Sequence, residues 1–96
     1  MIDIDLDPEA FREYQEAYDW YAKQDLQAAE DFDAELQAAL AKLTQDPTFG
    51  LPIDNHHFFY RLKRFPYFVV FRLERNLLWV VAVSHNRRDP AYWYGR

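Results

Sequence analysis

The chain has 96 residues, of which half are hydrophobic and 19% aromatic, and it carries a formal net charge of −5 and no cysteine. This length and composition can build one packed core over residues 1–96, which excludes a disordered protein. The lack of cysteine excludes disulfides and thiolate metal sites. The acidic start, with Asp3 and Asp5, is unlike a signal peptide, and the longest apolar run, residues 77–83, is too short to span a bilayer. We therefore expect a single-domain cytoplasmic protein with no membrane partner.

The two halves of the chain carry opposite charge. Residues 1–50 contain 13 acidic and 3 basic side chains, whereas residues 51–96 contain 8 basic and 3 acidic ones. Such asymmetry indicates an acidic or polyanionic partner at the basic end. Alternatively, the two halves attract each other across the fold. The overall acidity argues against indiscriminate coating of nucleic acid, because the summed field repels phosphate.

The N-terminal part predicts a strand and then a helix. Hydrophobic and acidic residues alternate through residues 1–6, which is the period of a half-buried strand. Asp7 can cap a helix, and Pro8 suits its first position. This helix runs to about Lys23. Its predicted buried stripe is aromatic and consists of Phe11, Tyr14, Tyr18 and Tyr21.

A second helix is predicted to begin near Asp25 and to end at Asp46, because Pro47 follows. Its apolar stripe consists of Ala29, Phe32, Leu36, Leu40 and Leu43. The short break between the two helices predicts an antiparallel helical hairpin, which buries both stripes against each other and against a sheet.

The second half of the chain predicts three strands, at residues 56–63, 66–74 and 77–85. They are rich in β-branched and aromatic residues, and Arg75-Asn76 can form a two-residue turn between the last two. The expected fold is therefore α+β: an N-terminal strand, a helical hairpin and then a three-stranded antiparallel sheet.

The turn also predicts which side chains face each other across the last two strands. One face has the pairs Leu73–Leu78, Phe71–Val80 and Val69–Ala82, and the other has Arg72–Trp79, Val70–Val81 and Phe68–Val83. Two helices can cover only one face, so we expect the second face to be exposed as an apolar interface. Alternatively, the loop at residues 47–55 or the C-terminal tail folds over it.

The histidines and the single serine do not form a recognisable catalytic or metal motif. His56 and His57 are adjacent on a strand, so they face opposite ways and cannot bind one ion together. Ser84 and His85 alternate in the same manner, which leaves a nucleophilic triad without support. We expect no metal and no cofactor.

The remaining candidates are cations with aromatic neighbours near the C-terminus. They are Arg61, Lys63, Arg64, Arg72, His85, Arg87, Arg88 and Arg96, beside Tyr92, Trp93 and Tyr94. Arginines interleaved with aromatic rings can hold phosphates and stack bases. Alternatively, they pair with the acidic helices or lie over aromatic surface.

Several of these residues carry a family resemblance. Trp20-Tyr21, the Arg-Phe-Pro-Tyr segment at residues 64–67, Phe71-Arg72-Leu73 and residues 81–93 resemble the RelE/ParE superfamily. Its members are small toxins of bacterial type II toxin–antitoxin modules, once described as plasmid-stabilisation proteins. The Arg-Arg-Asp-Pro-x-x-Trp ending, residues 87–93, is closer to ParE-like members.

The resemblance implies a toxin that inhibits DNA gyrase, and a cognate antitoxin that wraps and neutralises it in a hetero-oligomer. The expected target-binding residues are Arg64, Arg87, Arg88 and Trp93. The antitoxin would cover the second sheet face, at Phe68, Val70, Arg72, Trp79 and Val81.

A RelE-like activity is the alternative that the resemblance leaves open. Such members cut mRNA on the ribosome with scattered side chains rather than a metal, and the candidates here are Arg61, Lys63, His85, Arg88 and Tyr92. Only in this case would the protein be an enzyme. A third hypothesis is a non-toxic module that binds a partner or acts as a corepressor.

Overall fold

The computed structural model describes residues 2–96, and Met1, the first residue of the predicted N-terminal strand, lies outside this part. The elements in chain order are β1 (Asp3–Leu6), α1 (Pro8–Gln24), α2 (Leu26–Gln45), a 3-10 helix (Pro47–Phe49), β2 (Leu51–Pro52), β3 (Phe58–Arg61), β4 (Tyr67–Glu74) and β5 (Leu77–His85). This order confirms the predicted α+β fold. No helix in the described chain has the length and apolar character needed to cross a membrane.

The sheet formed by residues 2–96 has five strands, not the predicted three, in the order β1-β5-β4-β3-β2. β1 pairs in parallel with β5, from Asp3 opposite Leu77 to Leu6 opposite Val80. β2 adds a two-residue antiparallel pairing to β3. The N-terminal strand therefore extends the same sheet at the β5 edge, which strand periodicity alone could not show.

The helix boundaries agree with the capping residues of the sequence. The Asp7 side chain accepts a hydrogen bond from the Glu9 N–H at 2.9 Å, at the start of α1. Asp25 ends α1 by donating its N–H to the Tyr21 carbonyl, and its side chain caps α2 by accepting from the Gln27 N–H. One extended residue thus joins the two helices, as the predicted hairpin requires.

The stripe of α2 is buried as predicted, but α1 buries a different face. Its buried residues are Ala10, Glu13 and Ala17, whereas Phe11 of the predicted aromatic stripe is 49% exposed. Small side chains allow α1 to lie close to the sheet, since an aromatic face would hold the two layers further apart. The aromatic residues lie instead along the seam between helices, where Tyr14 and Tyr21 pack edge-on or tilted against Phe32.

The pairing of β4 with β5 follows the prediction only as far as Phe71. The pairs Leu73–Leu78, Arg72–Trp79 and Phe71–Val80 are present, and Arg75 takes a left-handed φ of 52° in the turn. A bulge then shifts the register, so that Val70 pairs with Ala82, Val69 with Val83 and Phe68 with Ser84. The predicted pairs Val69–Ala82, Val70–Val81 and Phe68–Val83 are therefore wrong by one residue.

The bulge also determines which side chains occupy each face. Val80 and Val83 lie on the helix side, while the consecutive residues Val81 and Ala82 both lie on the opposite side. Trp93, which is 1% exposed, packs there with Val70 and completes a second small core. The expectation of an exposed apolar face is thus wrong, and the alternative, in which the C-terminal tail covers it, is correct.

Candidate functional site

The basic turn, residues 86–88, follows β5 and is fixed by its backbone. The Asn86 N–H donates to the Pro66 carbonyl at 2.8 Å, and the Arg88 N–H donates to the His85 carbonyl at 3.0 Å. The Arg87 N–H donates to Nδ1 of His85 at 3.0 Å, so the proton of the neutral ring lies on Nε2. The turn therefore presents its two arginines from a defined backbone.

A buried carboxylate, Glu13 of α1, lies behind this turn. Its Oε1 accepts from the Val83 N–H at 3.1 Å and from Nη1 of Arg96 at 2.9 Å. Its Oε2 accepts from the Tyr92 hydroxyl at 2.6 Å and lies 3.7 Å from Nη1 of Arg88. Glu13 is not among the site residues that the sequence predicts. The available signal was its spacing, because it lies between Ala10 and Ala17 on the small-residue face of α1.

Glu13 is required at this position because β1 is short. β1 ends opposite Val80, so the edge of β5 beyond that point has no neighbouring strand. Glu13 accepts from the Val83 N–H, and Nη1 of Arg96 donates to the Val81 carbonyl at 3.2 Å. A buried backbone group without a partner costs about 1–3 kcal/mol, so these two side chains replace the missing strand.

The C-terminal segment, residues 89–96, has a second attachment at the β2–β3 loop. The Tyr94 hydroxyl donates to Asp54 at 3.0 Å. Hydrogen bonding from the His56 N–H holds the pKa of Asp54 well below its usual range, against the effect of burial, with His57 and Tyr94 adding to the lowering. The Trp93 ring lies 4.7 Å from that of His57, centroid to centroid. The segment is thus tied to both α1 and the loop.

Tyr92 connects the turn to the buried carboxylate. Burial, reinforced by the hydrogen bond to Glu13, raises the pKa of Tyr92 to about 12. The phenol therefore stays protonated at neutral pH and acts as a donor. The guanidinium of Arg88 lies 3.9 Å from the centroid of the Tyr92 ring, which is a cation–π contact.

The structure does not assemble the predicted nuclease residues. His85 and Arg88 line one groove of about 290 Å³ beside α1. The Arg61 guanidinium lies over the Phe68 ring, on the face that carries the C-terminal segment. His85 instead contacts Tyr67 on the helix side.

The two remaining nuclease candidates are Lys63 and Tyr92. Lys63 lies in the β3–β4 loop, where its N–H donates to Glu35 of α2. The Tyr92 hydroxyl is committed to Glu13. Arg61 and Lys63 line a groove beside α2, whereas His85 and Arg88 line the groove beside α1, and Tyr92 contacts Arg88. The five residues therefore form two separate groups.

The predicted target-binding residues have different surroundings. Arg87 and Arg88 are exposed in the basic turn, and Arg64 is exposed in the β3–β4 loop, with Nε 3.2 Å from Glu35. Trp93 is buried, so any contribution it makes to target binding is indirect.

The predicted antitoxin-binding residues are largely covered. Val70 and Val81 are fully buried, while Phe68, Arg72 and Trp79 are partly exposed. Nη1 of Arg72 donates to the carbonyl of Arg96 at 2.8 Å. An antitoxin could reach the two valines only if the C-terminal segment moved.

The fold, with its basic turn after the last strand, agrees with the class of small α+β toxins that the sequence resembles. Residues 4–90 match the family model described as the ParE toxin of type II toxin–antitoxin system, parDE, and the chain belongs to this family. The match ends at Pro90, so Tyr92, Trp93 and Arg96 lie beyond it.

A solved structure titled "Chromosomal ParDE TA system from P. aeruginosa" is similar to this chain, with a TM-score of 0.75. The sequence identity is 16%, and the match covers 88% of this chain and 96% of that chain. At this identity the likeness shows the fold alone. No curated protein matches the chain.

Proposed function

We propose that this chain is a toxin that inhibits DNA gyrase and that a cognate antitoxin neutralises it. The family assignment over residues 4–90 supports a role in a type II toxin–antitoxin system. The observation that carries the choice of gyrase over mRNA is the separation of the nuclease candidates, since Arg61 and His85 lie on opposite faces of the sheet. A nuclease needs its proton-transfer and charge-stabilising groups around one phosphate.

An inhibitor that acts by binding requires only a rigid recognition surface, and the basic turn supplies one. Arg87 and Arg88 project from a backbone that is fixed at His85 and Pro66. The bond to Pro66 also brings the β3–β4 loop, which carries Arg64, to the same end of the sheet. Three exposed arginines at one end can contact an acidic protein surface or DNA phosphates.

The antitoxin would contact side chains that stay partly exposed on the sheet face under the C-terminal segment. Phe68, Arg72 and Trp79 remain accessible there, and Val70 and Val81 lie beneath the C-terminal segment. Co-expression with a short neighbouring gene should restore growth and give a complex that co-elutes. Growth arrest that persists despite a co-eluting complex would contradict neutralisation.

Gyrase inhibition is tested with purified protein in a supercoiling assay on relaxed plasmid. The chain should block supercoiling, and Arg87→Ala with Arg88→Ala should weaken the block at least about tenfold, because the loss of two charged contacts removes affinity. The matched control is Arg12→Ala, an exposed arginine of α1 that pairs with Glu9 and Glu16. Unimpaired supercoiling, together with cleavage of ribosome-bound mRNA, would favour the endonuclease instead.

A further inference from the structure

Glu13 is the one acidic side chain that is buried within residues 2–96, and its side chain is 5% exposed. It contacts cations of very different exposure. The Arg96 side chain is 14% exposed and belongs to the packed tail, whereas the Arg88 side chain is 50% exposed and faces the groove beside α1. A carboxylate that joins the buried C-terminal segment to a half-exposed arginine can control the orientation of that arginine.

We propose that Glu13 is a positioning residue for target binding and that it acts by fixing the orientation of Arg88 over the Tyr92 ring. This inference rests on the proposed function, in which Arg88 contacts the target. Arg88 is held from two sides, by the Tyr92 ring at 3.9 Å and by Glu13 at 3.7 Å. Tyr92 is itself held, since its hydroxyl donates to the same carboxylate. Removal of the charge on Glu13 therefore loosens both supports of Arg88.

Preorientation matters because a free arginine loses much rotamer entropy when it binds. Arg87 provides the contrast within the same turn. In residues 2–96 its guanidinium has no ion pair, and only its backbone N–H is held, by His85. Arg88 therefore loses less side-chain entropy on binding than Arg87. This difference originates in Glu13, which is far from Arg88 in the sequence.

Glu13→Gln is the sharpest variant, since the amide has nearly the same shape and can still accept from the Val83 N–H but carries no charge. The matched control is Glu16→Gln, which changes an exposed glutamate on the same helix. NMR relaxation of the arginine Nε–H groups measures side-chain order without any target. The order parameter of Arg88 should fall in Glu13→Gln and stay unchanged in the control, with Arg87 mobile throughout.

Tyr92→Phe is a second variant in case Glu13→Gln does not fold. It keeps the ring beneath Arg88 and removes only the hydroxyl that joins the ring to the carboxylate, so it tests whether the contact between Glu13 and Tyr92 holds Arg88. An Arg88 order parameter that stays at its original value in the folded variants would overturn the proposal.

A double-mutant cycle connects this orientation to target binding. Glu13→Gln should weaken inhibition of gyrase about tenfold in the natural background and cause no further loss in an Arg88→Ala background, because the two residues act as one unit. Independent, additive losses would show that Glu13 has only a structural role and would contradict the proposal. If the unaltered protein does not inhibit gyrase, the proposed function fails, and the NMR comparison still decides whether Glu13 positions Arg88.

Discussion

Gly50 has no room for a side chain. A Cβ built there would press on the Phe71 ring, 2.8 Å from Cε1. Phe71 is fully buried, so its ring cannot move without disturbing the core. Gly50→Ala should lower the free energy of unfolding by about 1–3 kcal/mol through overpacking, as measured by urea denaturation.

A Phe71→Leu background provides the control for this steric explanation. Leucine lacks the distal ring atoms that Gly50→Ala would strike, so the added methyl should then cost less than about 0.5 kcal/mol. An equal cost in both backgrounds would mean that Gly50 is required for another reason.

Tyr92 should make the free energy of unfolding fall at alkaline pH. Its pKa is raised to about 12 by burial and by the hydrogen bond to Glu13, from about 10 in the unfolded chain. The stability it contributes is therefore present below about pH 10 and is lost as the pH rises toward about 12. Ionised Tyr92 would face the Glu13 carboxylate as a like charge.

Tyr92→Phe isolates this effect, because every other ionisable side chain is present in both proteins. At pH 7 the variant should be less stable by about 1.5–3 kcal/mol, because a hydrogen bond to a charged group contributes that much to stability. Denaturation curves at several pH values should show the difference shrinking between about pH 10 and pH 12. A difference that stays constant across this range would contradict the assigned hydrogen bond.

The residues that were assigned correctly from sequence are those whose role is local. Asp7 caps α1 and α2 begins beside Asp25, both as predicted, because helix starts depend on neighbouring residues and backbone groups. Glu13 was missed because its partners are distant in sequence: Val83 lies 70 residues further along the chain and Arg96 lies 83 residues further. Helical spacing places Glu13 on one face with Ala10 and Ala17, but it does not show which distant groups the carboxylate contacts.

At the scale of elements, the C-terminal segment packs over the sheet face that lies away from the helices. Trp93 fills the space above Val70 and Val81. Trp93→Ala should cost about 3–5 kcal/mol, whereas Trp20→Ala, which changes a tryptophan that is 57% exposed, should stay within about 1 kcal/mol. Thermal denaturation of the two variants measures this contrast. Similar losses from both would show that the segment does not form a core with the sheet.

The sequence could not reveal the bulge between β4 and β5, or the packing of the C-terminal segment that the bulge allows. Residues 80–83 are all apolar, so either register places hydrophobic side chains on both faces, and the pattern does not select one. The α2 stripe was predictable because polar residues alternate with it at helical spacing. The five-strand sheet was not, since a parallel edge pairing between β1 and β5 depends on the path of the helices.

At the scale of the whole molecule, the acidic and basic halves are partly joined to each other. Arg64 pairs with Glu35, and Arg96 pairs with Glu13. These contacts confirm the alternative that the two halves attract across the fold. The charge left for a partner is therefore smaller than the sequence count suggests and is concentrated at the end of the sheet that carries the basic turn. This placement favours contact with a defined site over general attraction to nucleic acid.

The central claim, that the chain acts by binding and not by cleavage, is tested most directly by His85→Asn in an inducible growth-arrest assay. Asparagine can still accept from the Arg87 N–H but cannot transfer protons as an imidazole does. We predict that His85→Asn keeps full toxicity, while Arg87→Ala with Arg88→Ala abolishes it. Loss of toxicity in His85→Asn, with a fall of at least about 100-fold in the rate of mRNA cleavage in cells, would contradict the account.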